Sequence, residues 1–324
     1  MSLRIAVLGA GGHSRWNHGE ALKLYDEQNP GQIELAAVCD LDADKAAVYA
    51  KECGFARTYT DFHAMVKAEK PDGLIAVTPQ AKTFELVSEL LGCGVGLTIE
   101  KPPGASAAQT RELAAIAERC GTPHMVSFNR RFHPAIEKAR AFVEAQGEAN
   151  APLGSLARML RVRRRDENFA FGTGIHCIDA TLSLMGTPVS VVTRRVATPI
   201  PGRTTYNAQM EFANGAIGTF VIAPYTGHHE ETYELFGHDY YGHVDIWQCR
   251  IRIHQSDEVI LDWTAPAEDP GLGKDGTLAE TAAFIESLQG KRPWWPTLSE
   301  AVATMQAAEA IERGGQVDLA MQAT

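Results

Sequence analysis

Positive charge is scarce in this sequence: 30 lysines and arginines stand against 40 aspartates and glutamates, a formal net charge of −10. Nucleic acids and anionic membrane surfaces are polyanions, so neither is expected as a partner. Long hydrophobic runs are also missing. No stretch approaches the ~18 continuous apolar residues that a bilayer-spanning helix requires. The opening Met1-Ser2-Leu3-Arg4 leads into an apolar segment without the charged and apolar regions of a signal peptide, so a cytoplasmic protein is expected. Paired cysteines are absent. None of Cys39, Cys53, Cys93, Cys120, Cys177 and Cys249 forms a C-x-x-C pair, and most lie inside apolar patterns, so they read as reduced thiols. The histidines and acids of His228-His229-Glu230-Glu231, with His238 and His243, lack H-E-x-x-H spacing, and no metal is expected.

What is present is a strong alternation. At 324 residues the chain exceeds the size of a single core, and two domains are expected, at 1–123 and 124–324, with the C-terminal helix free to pack back on the first. In the first third, apolar strands at Leu3–Leu8, Ile33–Cys39, Gly73–Thr78 and Val95–Ile99 alternate with helical patterns at Asp42–Cys53, Gln80–Leu91 and the segment opened by the capping box Ser106-Ala-Ala-Gln109. Strands that are apolar throughout and alternate with helices imply a parallel sheet covered on both faces. Beyond a helix from Pro134 to about Ala145, strands dominate. Tyr206–Phe212 and Ile217–Ile222 flank Asn214-Gly215, a hairpin signal, and Thr232–Phe236, Val244–Trp247, Ile251–His254 and Val259–Leu261 follow. Helices at Gly276–Leu288 and after the capping box Thr297-Leu-Ser-Glu300 close the chain. The expected fold is α/β: an N-terminal Rossmann domain with a parallel sheet, then a C-terminal α+β domain with a large, mostly antiparallel sheet.

The first strand runs into Gly9-Ala10-Gly11-Gly12-His13-Ser14, a G-x-G-x-x-S form of the dinucleotide fingerprint. Gly9 allows the tight turn, Gly11 lets the backbone approach a pyrophosphate, and Ser14 is small enough for close helix–strand packing. The following helix offers free N–H groups and a positive dipole end. The second strand ends at Asp40, an acid that can accept both ribose hydroxyls and repels a 2′-phosphate. Gly9, Gly11, Gly12, His13, Ser14 and Asp40 are therefore assigned to a dinucleotide, with NAD expected over NADP.

Further motifs lie at later strand ends: Thr78-Pro79, Glu100-Lys101-Pro102, Phe128-Asn129-Arg130-Arg131-Phe132 and Gly174-Ile175-His176-Cys177-Ile178-Asp179. With the fingerprint, and in this order, they make the chain resemble the Gfo/Idh/MocA oxidoreductases. The resemblance implies hydride transfer between a sugar, inositol or related carbinol and NAD or NADP. It adds Thr78, Pro79, Glu100 and Lys101 to the cofactor site. It implies catalytic roles for Lys101, beside the nicotinamide, and for His176 as the acid/base group. Arg131, Arg163, Lys101 and His176 are the candidate substrate contacts. Two positions depart from the family's pattern: Gly172 stands where many members carry Asp, and Thr83 where many carry His. Gly172 favours the alternative of a catalytically silent, dinucleotide-binding regulatory protein, while Lys101 and His176 disfavour it. An enzyme that uses transient oxidation for hydrolysis or elimination is a third alternative. The basic run Arg161, Arg163, Arg164 and Arg165 reads first as a solvated edge strand, and Trp294-Trp295 as a packed connection. A homodimer or homotetramer is expected, because the C-terminal sheet has more apolar face than its helices can cover.

Overall fold

The computed structural model describes residues 2–269 and 271–319. Two compact units divide the chain. One holds the residues through Ser127 together with Thr277–Val302; the other holds Phe128–Gly276 and the residues from Ala303 onward.

In the first unit β1 (Leu3–Leu8), α1 (Glu20–Gln28), β2 (Ile33–Cys39), α2 (Ala43–Cys53), β3 (Arg57–Tyr59), α3 (Phe62–Glu69), β4 (Gly73–Ala76), α4 (Gln80–Leu90), β5 (Gly96–Glu100), α5 (Ala107–Cys120) and β6 (His124–Ser127) alternate. The strands are all parallel, in the order β3-β2-β1-β4-β5-β6. Residues Ile5 to Val7, Ala36 to Val38 and Leu74 to Ala76 are shut from solvent, which is why these strands read as apolar runs and not as alternations. Local signals hold the helix ends. The Asp42 carboxylate accepts from the backbone N–H of Asp44 and Lys45 (3.1 and 3.2 Å), and Ser106 Oγ accepts from Gln109 N at 3.1 Å. Strand order reverses between β1 and β4, the place where doubly wound sheets open a crevice at their carboxyl ends. The expected boundary at 123/124 falls one strand early, because β6 is the sixth strand of this sheet.

The second unit contains α6 (Pro134–Gln146), β7 (Gly154–Leu160), α7 (Phe169–Gly172), α8 (Ile175–Met185), β8 (Pro188–Ala197), β9 (Thr204–Phe212), β10 (Ile217–Ala223), β11 (Glu230–Gly237), β12 (Tyr240–Asp245), β13 (Arg250–Gln255), β14 (Glu258–Thr264) and α9 (Gly271–Lys274). Then α10 (Thr277–Leu288) and the start of α11 (Leu298–Arg313) return to the first unit, while the rest of α11 and β15 (Gly315–Asp318) complete the second. Nine strands lie in the order β14-β13-β12-β11-β7-β10-β9-β8-β15, antiparallel except for the β7–β10 pair. One face carries α6 and α8 and buries alternate residues such as Tyr206, Ala208, Met210 and Phe212 of β9. The hairpin between β9 and β10 turns at Asn214-Gly215, with Gly215 at φ 81°. The expected strand Val244–Trp247 lies four residues late. Here β12 ends at Asp245, whose Oδ1 accepts from Gln248 N at 2.9 Å and turns the chain.

The returning segment covers one side of the first unit's sheet. A Cβ on Gly73 would lie 2.6 Å from Leu288 Cδ1 and Phe284 Cζ; one on Gly96 would lie 2.6 Å from Leu288 Cδ2 and 2.8 Å from the Trp294 ring. Glycine in β4 and β5 is what lets α10 and Trp294 approach so closely, and Trp294 is the packed connection the sequence suggested.

Candidate active site

The glycine turn lies at the carboxyl end of β1. Gly9 has φ 98°, and a Cβ there would sit 1.9 Å from the Val77 carbonyl oxygen just beyond β4, so both conformation and space demand glycine. Around Gly11 no atom lies within 4 Å of a would-be Cβ, leaving the open approach that a pyrophosphate needs. Ser14 is fully buried beneath Tyr49, whose hydroxyl donates to the Ser14 carbonyl at 3.0 Å. The Asp40 carboxylate braces this turn, accepting from Ala10 N at 2.6 Å and Asp42 N at 2.9 Å. A carboxylate has about four acceptor positions, so roughly two remain for ribose hydroxyls. These residues fit a dinucleotide.

The helix after the turn is unusual. It opens at Gly12, is π-helical over Ser14–Gly19, and only then becomes α1. In an α-helix residues i and i+5 point apart, but the wider π-turn stacks them. His13 and His18 thereby share one face and meet Glu100 of β5: His18 Nε2 lies 2.8 Å and His13 Nε2 3.5 Å from Glu100 Oε2. Asn17 Nδ2 lies 2.7 Å from His13 Nδ1 and orients that ring. Burial pushes the Glu100 carboxyl up, yet the hydrogen bonds from His13 and His18, the His18 charge and the Lys101 ammonium hold it well below the usual carboxylate range. This trio is also the group of metal-capable side chains that lies close together among the described residues. His18 was missed by sequence reasoning, because its spacing from His13 is meaningful only in a π-turn.

At the end of β4, Thr78 Oγ1 lies 2.9 Å from Thr83 Oγ1, which also donates to the Pro79 carbonyl at 3.2 Å. Thr83 is buried in this local knot, where many family members carry His. Lys101 follows β5 directly and is half-buried.

In the second unit His176 occupies the first turn of α8 and is half-buried. Its neighbours correct several expectations. Asp179 is fully buried and accepts from Arg131 Nε and Nη2, both at 2.8 Å, and from Thr304 Oγ1 at 2.8 Å. Asp179 thus faces the core, and Arg131, expected at a substrate, is a buried ion-pair partner of α8. Arg161 does not lie on a solvated edge: β7 is central, and Arg161 is buried against Glu231. Arg163 is exposed at φ 54°, and Arg164 pairs with Asp166 at 2.7 Å. The run His228 to Glu231 splits across the sheet. Glu231 points inward, while His228, His229 and Glu230 line a hollow of about 280 Å³ on the open face with His243 and Trp247. Around Gly172 nothing lies within 4 Å of a would-be Cβ, so space does not exclude a side chain there.

Residues 3–128 match the family model described as the NAD-binding Rossmann fold of the oxidoreductase family GFO_IDH_MocA, and residues 117–240 match the model of its C-terminal domain. The chain belongs to the Gfo/Idh/MocA family. It is similar to D-glucoside 3-dehydrogenase of Escherichia coli K12, 30% identical over 57% of this chain and 55% of that protein. It is also similar to D-apiose dehydrogenase of Paraburkholderia graminis, 29% identical over 61% of this chain and 54% of that protein. The match thus spans about half the length of these relatives. Among solved structures, UDP-N-acetylglucosamine 3-dehydrogenase from Acidithiobacillus ferrooxidans superposes with a TM-score of 0.82 at 23% identity, covering 97% of this chain and 98% of that one. Levoglucosan dehydrogenase in complex with NADH superposes with a TM-score of 0.84 at 16% identity, covering 98% and 99%. At these identities the two superpositions show the fold.

Proposed function

We propose that this Gfo/Idh/MocA chain is an NAD-dependent dehydrogenase acting on a CH–OH group of a sugar, inositol or related polyol. The observation that carries this reading is the glycine turn at the β1/β4 switch point, braced by Asp40, with Lys101 at the end of the next strand. Gly9, Gly11, Gly12 and His13 hold the pyrophosphate, with Ser14 packed beneath the turn, Asp40 the ribose, and Thr78, Pro79 and Glu100 the nicotinamide half. When bound, the dinucleotide supplies the hydride acceptor. Lys101 stabilises the alkoxide that develops on the carbinol oxygen, and His176 takes its proton. The acid at Asp40 favours NAD over NADP, and the names of the relatives, dehydrogenases of sugars and sugar-like compounds, support the substrate class. We also propose a homodimer or homotetramer formed through the open sheet face.

The test is a panel of sugars, inositols and polyols assayed for NADH formation. Against a substrate so found, Lys101→Ala and His176→Ala should each cut turnover by on the order of 100-fold or more, the scale of one positioned proton-transfer or charge-stabilising group. His176→Ala should leave NAD affinity unchanged. Near-normal turnover in His176→Ala would overturn its role. Gly172 keeps a second reading alive: if NAD binds tightly and the whole panel is inert, the chain is a dinucleotide-responsive regulator of the same fold.

A further inference from the structure

The step from His13 to His18 is made by a π-turn, a rare helical form that occurs frequently at functional sites. Its effect is to bring two imidazoles to one carboxylate oxygen: Glu100 Oε2 lies 2.8 Å from His18 Nε2 and 3.5 Å from His13 Nε2. The ligand-capable atoms of the three side chains all lie within 4.8 Å of one another. The two rings do not stack; their centroids are 6.0 Å apart and their planes meet at 86°. Hydrogen bonding accounts for only part of this arrangement. The His18 contact has the length of a good hydrogen bond, whereas the His13 contact is too long for one. Zinc held tetrahedrally by nitrogen and oxygen donors sets its ligand atoms about 3.3 Å apart, and the two distances to Glu100 bracket that value.

The surroundings suit the same occupant. The His18 and Glu100 side chains are 4% and 11% exposed, while that of His13 is 54% exposed, so the trio is fixed on two sides and open on the third. An imidazole that binds metal through Nε2 carries its proton on Nδ1 and donates it to an outer partner. Asn17 Nδ2 lies 2.7 Å from His13 Nδ1, and a half-turn of the amide presents its oxygen there instead. Two imidazoles and one carboxylate, with a fourth position left to water, are a donor set that zinc takes where it is not purely structural. The Lys101 ammonium also acts on Glu100 and opposes a second cation, which suits an exchangeable ion and not a permanent one. All three ligands belong to the first unit.

We propose that His13, His18 and Glu100 form a three-ligand site for a divalent metal of the zinc type, which competes with the dinucleotide at the glycine turn. His13 and Glu100 are the residues assigned above to the pyrophosphate and the nicotinamide half, so metal and NAD draw on the same side chains. The competition rests on the dinucleotide reading; the metal site does not. The full chain, freed of metal with a chelator and titrated with Co2+ in the absence of NAD, tests the site. One equivalent should give the visible absorption of tetrahedral cobalt, without the near-ultraviolet band that a cysteine thiolate would add, and Zn2+ should displace it. His13→Ala and Glu100→Gln should each lower cobalt affinity roughly 100-fold or more, and Asn17→Ala roughly tenfold, the scale of an outer partner. Glu100→Gln keeps an oxygen for His18 to hydrogen-bond, so its loss of metal separates a metal site from a hydrogen-bonded trio. His63→Ala, which removes an exposed His–Glu contact elsewhere, should leave cobalt binding as it is in the parent.

Zn2+ at roughly ten times its own Kd should raise the apparent Kd of NAD about tenfold by mass action, and His13→Ala should abolish that effect. A parent chain that gives no tetrahedral spectrum, or a spectrum that survives His13→Ala, overturns the proposal, and so does an NAD affinity indifferent to bound zinc. Should Glu100→Gln fail to fold, His13→Ala decides alone, because that side chain is exposed. If cobalt binds as stated but NAD does not bind the metal-free chain, the dinucleotide reading fails and the metal site stands. If NAD binds and cobalt does not, only the metal site fails.

Discussion

The Asp40 carboxylate accepts from Ala10 N at 2.6 Å and Asp42 N at 2.9 Å and so ties the end of β2 to the glycine turn. Asp40→Ala should therefore weaken NAD binding by roughly tenfold or more, the worth of a lost hydrogen-bonding group, and narrow the preference over NADP. Parallel titrations with the two dinucleotides check both effects; an unchanged preference would remove Asp40 from the ribose site. His133 gives a second test at this scale. It is fully buried, its Nδ1 accepts from Ala135 N and its Nε2 donates to the Ile246 carbonyl, both at 3.2 Å. Burial, and then the Arg130 charge, push its pKa down from 6.5 to about 4. The unfolded chain thus binds a proton below about pH 6.5 that the native chain refuses until about pH 4, so stability falls as pH drops through that window. At one pKa unit per 1.36 kcal/mol, the loss is about 2 kcal/mol by pH 5. Denaturant midpoints at pH 7 and pH 5 measure it, and His133→Asn, which can still cap α6, should flatten the difference.

Whole strands and helices were more legible than the contacts between them. Apolar runs marked β1, β2, β4 and β5 because each is buried on both faces, and the capping box at Thr297 closes as read: Glu300 Oε2 accepts from Thr297 N at 2.7 Å, while at Ser106 the Gln109 side chain reaches back one residue further, to Ala105 N at 2.8 Å. Strand β8 escaped notice because its second half, Arg194 to Val196, is exposed and carries no alternation. The π-turn was illegible for a different reason. Its spacing pattern matches neither helix nor strand periodicity, so the meeting of His13 and His18 at Glu100 emerges only in three dimensions. In the same way, Glu231 reads in the sequence as one of six metal-capable residues, and only alternation along β11 separates it from its neighbours. Glycines inside strands were the other silent signal. Gly96→Ala should clash with Leu288 and Trp294 and cost about 1–3 kcal/mol, as overpacking does. Chemical denaturation reads that loss, and adding Leu288→Ala should return part of it; full stability of Gly96→Ala alone would mean that α10 does not press on β5 as described.

For the molecule as a whole, the open face of the nine-stranded sheet sets the expectation of self-association. Val192, Ile217, Phe236, Tyr241 and Val259 all lie on it and are 38–45% exposed, interleaved with Glu234, His243 and Arg252. A face of this mixed kind suits an isologous contact, in which each apolar group meets its symmetry mate's surroundings. Light scattering should give at least twice 35.2 kDa, and Phe236→Lys with Ile217→Lys should return a monomer; a monomeric parent at micromolar concentration rejects the assembly.

The discontinuity of the first unit has a consequence for biogenesis. Its sheet emerges from the ribosome with Ser127, but α10, which presses on Gly73 and Gly96, starts only at Thr277. At about 5–20 residues per second, a nascent chain waits roughly 8–30 s with that apolar flank of its first sheet bare. Only after Thr277–Leu288 has been made can the Rossmann unit close. A fragment cut after Ser127 would keep the glycine turn intact yet leave permanently uncovered a surface that a chain carrying α10 exposes only in passing.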